Sequence, residues 1–422
     1  MLHGTVGYEQ AENDASGEPI RILNRIKPVP GKNIYLTLDS KLQKAAEEAI
    51  AGYRGAVVAI QPSTGQVLAL VSAPSYDPNV FVEGINNQDY KALQQSPDRP
   101  LYNRALRGLY PFASPIKPFI AIEGLDSGVV DTNYTLFDPG WYQINNVGHK
   151  FHDWRMHGHG VVNLTQAIIG SCDTYFFDLA HKLGISRIDH ILTQFGFGQL
   201  TGIDMEEELP GLVASPAWKR RVKGAPWYEG DTVISGIGQG SMQTTPLQMA
   251  AGVATIANRG VRYTPHLLLA TQDPEGKLEQ QAPQPLPPVV LRDKKIWSTV
   301  ISAMQQVIGS PQGTAYNHFG KFIHFPAAGK TGHAQVFSKT HYSAEDETSD
   351  QSDLPEHLRN HSWLVVFAPV DNPQIAIAVI TENSNLAITV ARKLLNFYLA
   401  GIPVNQDDTM INNTGQDNDV IH

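Results

Sequence analysis

Ser114-Pro115-Ile116-Lys117 runs directly into Pro118-Phe119-Ile120-Ala121-Ile122-Glu123-Gly124-Leu125. Serine suits a helix N-cap and proline the first helical position, where its missing N–H costs nothing, so a helix is expected to open here. Residues i and i+3 share a helix face, which brings the Lys117 amine beside the Ser114 hydroxyl. A hydroxyl needs such a neighbour to attack a carbonyl at neutral pH, and a lysine serves once burial or a second cation favours loss of its proton. No other serine in the chain has a lysine three residues after it. Taken alone, the pattern equally describes an N-capped helix with a surface lysine.

Two further clusters follow in order. Ser171-Cys172-Asp173 lies between amphipathic stretches at 163–170 and 174–183 and reads as a tight helix junction, where Asp173 also suits an N-cap. Lys330-Thr331-Gly332 follows Pro326-Ala327-Ala328-Gly329 and runs into His333-Ala334-Gln335-Val336-Phe337, a strand-like run. This sets a cation and a hydroxyl at a strand's start, beside a glycine that lets a ligand approach closely. Gly329-Lys330-Thr331 looks like the end of a phosphate-binding loop, but that motif needs glycine where His324 stands and should open a helix.

S-x-x-K, S-x-D and K-T-G, in that order, resemble the three motifs of the penicillin-binding, active-site-serine acyl transferases. Tyr35-Leu36-Thr37-Leu38-Asp39, the strand-turn-strand run 55–72 around Pro62-Ser63-Thr64-Gly65, Gly238-Gln239-Gly240, Thr245-Pro246-Leu247-Gln248-Met249-Ala250 and Gly313-Thr314-Ala315 are similar to the class B members. Within that class, Leu2-His3-Gly4-Thr5-Val6-Gly7-Tyr8-Glu9, Pro74-Ser75-Tyr76-Asp77-Pro78-Asn79 and Phe137-Asp138-Pro139-Gly140-Trp141 resemble the elongation-type subfamily, penicillin-binding protein 2. The resemblance runs from residue 2 to about residue 399.

It implies an α/β fold of the penicillin-binding transpeptidase and serine β-lactamase-like type, with a central, mainly antiparallel sheet flanked by helices and a helical subdomain. Short apolar runs at 55–60, 66–72, 332–337, 363–368 and 374–380 are expected to share that sheet. Helical patterns occupy 40–53, 245–260, 293–307 and 386–399. Residues 1–34 read as the remnant of an N-terminal pedestal, 35–402 as the transpeptidase domain and 403–422 as a disordered tail. The acidic segment 339–360 is expected to be mobile. Members of the family normally carry a membrane anchor before the pedestal, so the chain reads as a fragment, and the whole protein is expected at the periplasmic face of the bacterial inner membrane.

The chemistry implied is D,D-transpeptidation of peptidoglycan stem peptides. Ser114 attacks the carbonyl between two terminal D-alanines, and an amine from a neighbouring stem resolves the acyl-enzyme. Lys117 is the base, with Lys330 placed to disfavour its charge. Ser171 relays a proton to the leaving amine and Asp173 completes the polar side of the cleft. Lys330 and Thr331 hold the terminal carboxylate, Gly332 gives it room, and the oxyanion meets the backbone N–H groups of Ser114 and His333. β-Lactams mimic the D-Ala-D-Ala end and acylate the same serine. In the full-length protein a SEDS-family glycosyltransferase is the expected partner. A D,D-carboxypeptidase, a serine β-lactamase or a β-lactam-sensing receptor shares the motif framework.

Three departures from the family pattern stand out. Asp173 replaces the usual asparagine and gives up an amide donor. His333 stands where many relatives have threonine. Phe112-Ala113, rather than a glycine, leads into Ser114, so the turn there is expected to avoid a glycine-only conformation.

No cofactor is required by this chemistry, but Cys172 invites a structural zinc. Asp138, His149, His152, Asp153, His157 and His159 cluster upstream of it, and thiolate, imidazole and carboxylate suit zinc. Asp138, Asp153, His159 and Cys172 are the favoured set, because Asp-Pro-Gly, Asp-Trp and Gly-His-Gly resemble signatures of a subfamily with metal-bearing members. A packed thiol beside a solvated histidine-rich loop is the plainer alternative.

Composition adds bounds. The formal charge of the 422 residues is -9, yet residues 340–357 hold six acids and residues 404–422 four, with no Lys or Arg in either. The rest is therefore near neutral, and bulk charge implies no nucleic acid or acidic partner. One cysteine precludes an internal disulfide.

Overall fold

The computed structural model describes residues 2–82, 84–146, 148–335 and 355–407. The expected strands 363–368 and 374–380 form as His361–Ala368 and Ile375–Thr381 and pair antiparallel, Trp363 opposite Ile380 and Val365 opposite Ala378. Their near-continuous apolar sequences have no polar face, so the strands need cover on both sides. Ile375–Thr381 pairs in turn with Gly55–Ile60, which makes a hairpin with Val67–Ala73. Ala328–Ala334 joins the other side of His361–Ala368 as an edge strand, completing a five-stranded sheet that is antiparallel throughout. The Lys-Thr-Gly triplet thus lies in mid-strand, two residues in from Ala328, and not at the strand's start as the sequence had suggested. Pro326-Ala327 ends the preceding loop, and the backbone pairing begins before the apolar run does.

Helices cover the sheet. Ser40–Ile50 and Ala387–Ala400 pack on each other and on its strands, and Pro246–Ala257 packs on Gly55–Ile60, His361–Ala368 and Ile375–Thr381. Thr245 and Gln248 form a capping box that starts Pro246–Ala257 at the place its Thr-Pro step dictates. A helical group made of Lys117–Asp126, Leu164–Ile169, Asp173–Leu183, Ile185–Gln194 and Lys295–Gly309 builds the rest of the core, and Lys295–Gly309 ties it to the edge strand Ala328–Ala334. Tyr8–Asn13 and Pro19–Ile26 form a separate hairpin, exposed along its whole length, and Asn33–Leu36 pairs with Leu268–Gln272.

The expected tail and acidic segment are corrected where they are described. Asp407 is buried and accepts from Arg392 Nε at 2.9 Å and from Asn396 at 2.6 Å, so the chain stays docked through residue 407. Glu356, in the short turn Glu356–Leu358 that precedes the strand His361–Ala368, accepts from Arg54 Nη2 at 2.8 Å. The remainder of both segments lies outside the described residues. No described helix is long and apolar enough to cross a membrane.

Candidate active site

Ser114 opens a 3-10 turn, Ser114–Ile116, that passes into the helix Lys117–Asp126. The N-cap is Ala113, with no side-chain cap, so the expected serine cap is displaced by one residue. Ala113 sits at φ 51°, ψ -159°, a region that is essentially glycine's, contrary to the expectation that this turn would avoid it. The neighbours enforce the strain. Ala113 N–H donates to the Gly238 carbonyl at 3.0 Å, and Tyr110 and Thr244 exchange N–H to C=O bonds at 3.0 and 2.9 Å. The Trp363 indole donates to Pro111 O at 3.0 Å. A Cβ at Gly238 would lie 2.5 Å from the Ala113 carbonyl oxygen, so only glycine allows the two loops to meet.

Lys117 is fully buried and donates three bonds: to Ser171 O at 2.7 Å, Ser171 Oγ at 3.1 Å and Asp173 Oδ1 at 2.5 Å. Ser171 Oγ in turn lies 3.1 Å from Ser114 Oγ. No hydrogen bond joins Ser114 directly to Lys117 among the described residues. The helical spacing does place both on one side, but the acceptors at 171 and 173 capture the amine, and Ser171 becomes the link between nucleophile and base. Its φ of 57° turns the side chain inward at the junction between Leu164–Ile169 and Asp173–Leu183. Cys172, not Asp173, caps the second helix: its sulfur accepts from Tyr175 N at 3.4 Å. Asp173 is thereby freed to serve as the counter-ion of Lys117, its other oxygen accepting from Trp154 N at 3.3 Å. The sequence reading gave Asp173 the polar side of the cleft, and the structure adds its pairing with Lys117.

The edge strand closes the third side. Gly332 packs so tightly on the nucleophile turn that a Cβ there would meet Pro115 Cδ at 2.3 Å. Lys330 is fully buried and donates to Thr331 O at 3.2 Å, and the Thr331 and Thr314 hydroxyls lie 2.6 Å apart. Burial, and then the charge of Lys117, holds the Lys330 amine well below the ordinary lysine range, with Asp173 opposing. The imidazole of His333 is exposed, and its carbonyl accepts from Gln239 Nε2 at 3.0 Å. In an antiparallel strand a residue's N–H and C=O point to the same side. The His333 N–H therefore faces the free edge, toward Ser114, where an oxyanion donor is wanted.

Beside this cleft the four favoured metal ligands converge. One ligand atom each from Asp138, Asp153, His159 and Cys172 lies within 4.8 Å of the others. His159, His149, His152 and His157 all belong to the loop, but only His159 joins the cluster. His159 Nε2 lies 3.1 Å from Gly170 O, and Nδ1 lies 2.8 Å from Asp138 Oδ2 and 3.4 Å from Asp153 Oδ1. With a metal bound, an Nε2–H donated to Gly170 would leave the Nδ1 lone pair for the ion, whereas without one Nδ1–H donates to Asp138. Burial, reinforced by Asp153 and Asp138, pushes the Cys172 thiol far up. Burial also pushes Asp153 up, with the charge of Asp173 next. Burial acts on Asp138 too, but bonds from His159, Thr174 and two backbone N–H groups outweigh it and hold that carboxyl well below the usual range. Three acidic ligands and an imidazole packed this closely and without a lysine or arginine among them fit a divalent cation. The cluster is joined to the cleft, since Asp153 Oδ2 accepts from Asp173 N at 2.6 Å and Thr174 N at 3.1 Å.

Gln239, Thr314 and Trp154 touch the site without having been assigned a part from sequence. Gly-Gln-Gly and Gly-Thr-Ala carried a family resemblance only, and nothing local says that they reach residues 94 and 17 positions away.

A buried lysine joined to a serine nucleophile through a second serine, on a helix facing an edge strand that carries Lys-Thr-Gly, defines an active-site-serine acyl transferase of the penicillin-recognising class. The chain belongs to the penicillin-binding protein transpeptidase domain family, which matches residues 55–396. Within it, the branch is the class B elongation type, penicillin-binding protein 2. The chain is 42% identical over 404 residues to peptidoglycan D,D-transpeptidase MrdA of Escherichia coli strain K12, covering 95% of this chain and 63% of that protein. It is 44% identical over 413 residues to the MrdA of Acinetobacter baumannii, covering 94% and 58%. Among solved structures it is similar to Pseudomonas aeruginosa PBP2 in complex with WCK 5153, with TM-score 0.78 and 46% identity over 91% of this chain and 77% of that one. PBP2 of Helicobacter pylori in complex with MreC gives TM-score 0.80 and 30% identity over 94% and 70%. The chain thus spans less than two thirds of the length of these two curated relatives.

Proposed function

We propose that the chain is the catalytic part of a peptidoglycan D,D-transpeptidase that cross-links stem peptides during cell-wall elongation and is acylated by β-lactams. The observation that carries this is the Ser114–Ser171–Lys117 chain, with both links at 3.1 Å. Lys117, once neutral, takes the Ser114 proton through the Ser171 hydroxyl as Ser114 Oγ attacks the carbonyl between two D-alanines. The N–H groups of Ser114 and His333 receive the oxyanion, contributing about 3–4 kcal/mol each to the barrier. Ser171 returns the proton to the departing D-alanine amine. Thr331 and Lys330 hold the substrate's terminal carboxylate, and Gly332 lets the strand pack directly on the Ser114-Pro115 turn. An amine of a neighbouring stem then attacks the acyl-enzyme. This chemistry calls for no cofactor.

Asp138, Asp153, His159 and Cys172 would hold a structural zinc, which supplies a fixed anchor for the Ser171-Cys172-Asp173 junction and no step of the reaction. The names of the relatives support a place in cell-wall synthesis. One solved structure, described as coordination of polymerization and crosslinking by a peptidoglycan synthase complex, covers 96% of this chain with TM-score 0.75. The resemblance to the elongation-type enzymes makes a SEDS-family glycosyltransferase, at the periplasmic face of the inner membrane, the partner we infer for the whole protein.

The test is incubation with a peptide ending in D-Ala-D-Ala plus an amine acceptor, read by mass spectrometry. Released D-alanine together with the amide-linked product is expected, and neither from Ser114→Ala. Release of D-alanine with water alone as acceptor would make the chain a carboxypeptidase, and acylation without turnover a receptor.

A further inference from the structure

Lys219-Arg220-Arg221-Val222-Lys223 places four cations in five positions of a chain whose net charge is -9. They lie on the helix Pro216–Lys223, which Ser215 caps at its start and Gly224, in the left-handed conformation, ends. The basic residues gather in its last turn, where the helix dipole favours positive charge. Lys219 is tied inward to Asp231 and lies 4.7 Å from the centre of the Tyr228 ring. Lys223 lies 5.5 Å from the Trp218 ring and donates to Ser241 Oγ at 2.9 Å. Arg220 and Arg221 are exposed, and neither has an ion-pair partner among the described residues. Tyr228 is exposed as well, and the two lysines of the run lie against rings, Lys219 at Tyr228 and Lys223 at Trp218.

The location gives the patch its meaning. Ser241 is two residues beyond Gln239, whose amide holds the His333 carbonyl at the edge of the cleft. The helix that follows, Glu229–Ser235, packs on Asp173–Leu183, which carries the counter-ion of Lys117. A peptide whose end lies between Ser114 and the edge strand must leave the cleft along its rim, and Lys223 is anchored to one side of it.

We propose that Arg220, Arg221 and Lys223, on the helix that carries Trp218, form a docking subsite for side-chain carboxylates of the peptide substrate. This rests on the transpeptidase reading and extends it from the reacting bond to the rest of the peptide. Guanidinium groups grip carboxylates through paired N–H bonds, and the Lys223 ammonium adds a third cation beside them. The patch plays no part in the reaction of a small β-lactam, which fills only the cleft.

The test uses a fluorescent penicillin with an uncharged side chain and measures how strongly a pentapeptide ending in D-Ala-D-Ala and carrying two acidic residues slows its reaction. Wild type, Arg220→Ala/Arg221→Ala and Arg220→Glu/Arg221→Glu are compared, each also with the peptide's acidic side chains amidated. The acidic peptide is expected to protect about fivefold less well in the alanine variant and about twentyfold less in the charge-reversed one, with weaker salt dependence in both. The amidated peptide should protect all three proteins alike, and penicillin acylation in its absence should stay within twofold of wild type. Equal protection by the acidic peptide in all three proteins, no protection of wild type at millimolar peptide, an equal loss for the amidated peptide, or a parallel loss of penicillin acylation each overturns the subsite. Absence of acylation in wild type itself overturns the transpeptidase reading instead.

Discussion

Replacing Ser171 by alanine separates the two ways in which Lys117 can activate Ser114. The substitution removes a hydroxyl that lies 3.1 Å from Ser114 Oγ and 3.1 Å from Lys117 Nζ, and no other described group bridges them. If Ser171 is the proton relay, the general acid–base share of the rate goes with it, about 10²- to 10⁴-fold, or roughly 3–5 kcal/mol of barrier. The fold should lose far less. Lys117 keeps the Ser171 carbonyl at 2.7 Å and Asp173 at 2.5 Å, so one hydrogen bond of three disappears, a cost on the order of 1 kcal/mol. The assay is the second-order rate of acylation by a fluorescent penicillin in stopped flow, alongside the melting temperature. Ser171→Gly is the control, because glycine accommodates the φ of 57° and should recover stability but not rate. An alanine variant that acylates within about fivefold of wild type would refute the relay and return Lys117 to direct contact with Ser114.

Three other outcomes follow from the same geometry. Lys330→Met should raise the melting temperature by a few degrees, about 1 kcal/mol, while lowering acylation at least about a hundredfold, since the buried ammonium serves binding and not stability. Its pKa is depressed in the folded state, so the wild-type deficit fades as pH rises toward the ordinary lysine value near 10 and deepens as pH falls from there until the folded-state pKa is passed; a deficit that grows with pH would contradict this. Ala113→Gly should stabilise the protein by about 1 kcal/mol, read as a rise in melting temperature, with acylation within tenfold, because glycine adopts φ 51°, ψ -159° without strain. Protein purified without chelator should contain close to one zinc per chain by elemental analysis, and Cys172→Ser should lose it, melt lower and acylate more slowly as Ser171 and Asp173 shift.

What could be read beforehand divides by range. The sheet strands and the capped helices depend on neighbours in sequence: 55–60 and 374–380 are apolar enough to have no other home, and Thr245-Pro246 carries its own capping box. Serine and lysine motifs were legible because acyl transfer needs those groups and few others. The wiring between them was not. Lys117 is claimed by acceptors 54 and 56 residues away, and Asp173 could be assigned to Lys117 only once Cys172 was seen to cap its helix. Ala113 broke a local rule that holds for an isolated turn, because Gly238, Thr244 and Trp363 pin the segment from three sides. Residue chemistry alone left four histidines in play beside Asp138, Asp153 and Cys172; the choice of His159 came from the family resemblance of Gly-His-Gly, and the structure brings that residue to the cluster.

The central claim is that Ser114 Oγ is the atom that receives the acyl group. Intact mass spectrometry after incubation with benzylpenicillin, followed by peptide mapping, tests it directly. A single adduct of the antibiotic's mass, located on Ser114 and absent from Ser114→Ala at an unchanged melting temperature, is the expected result. An adduct on another residue, or one that persists at full yield in Ser114→Ala, would contradict the account.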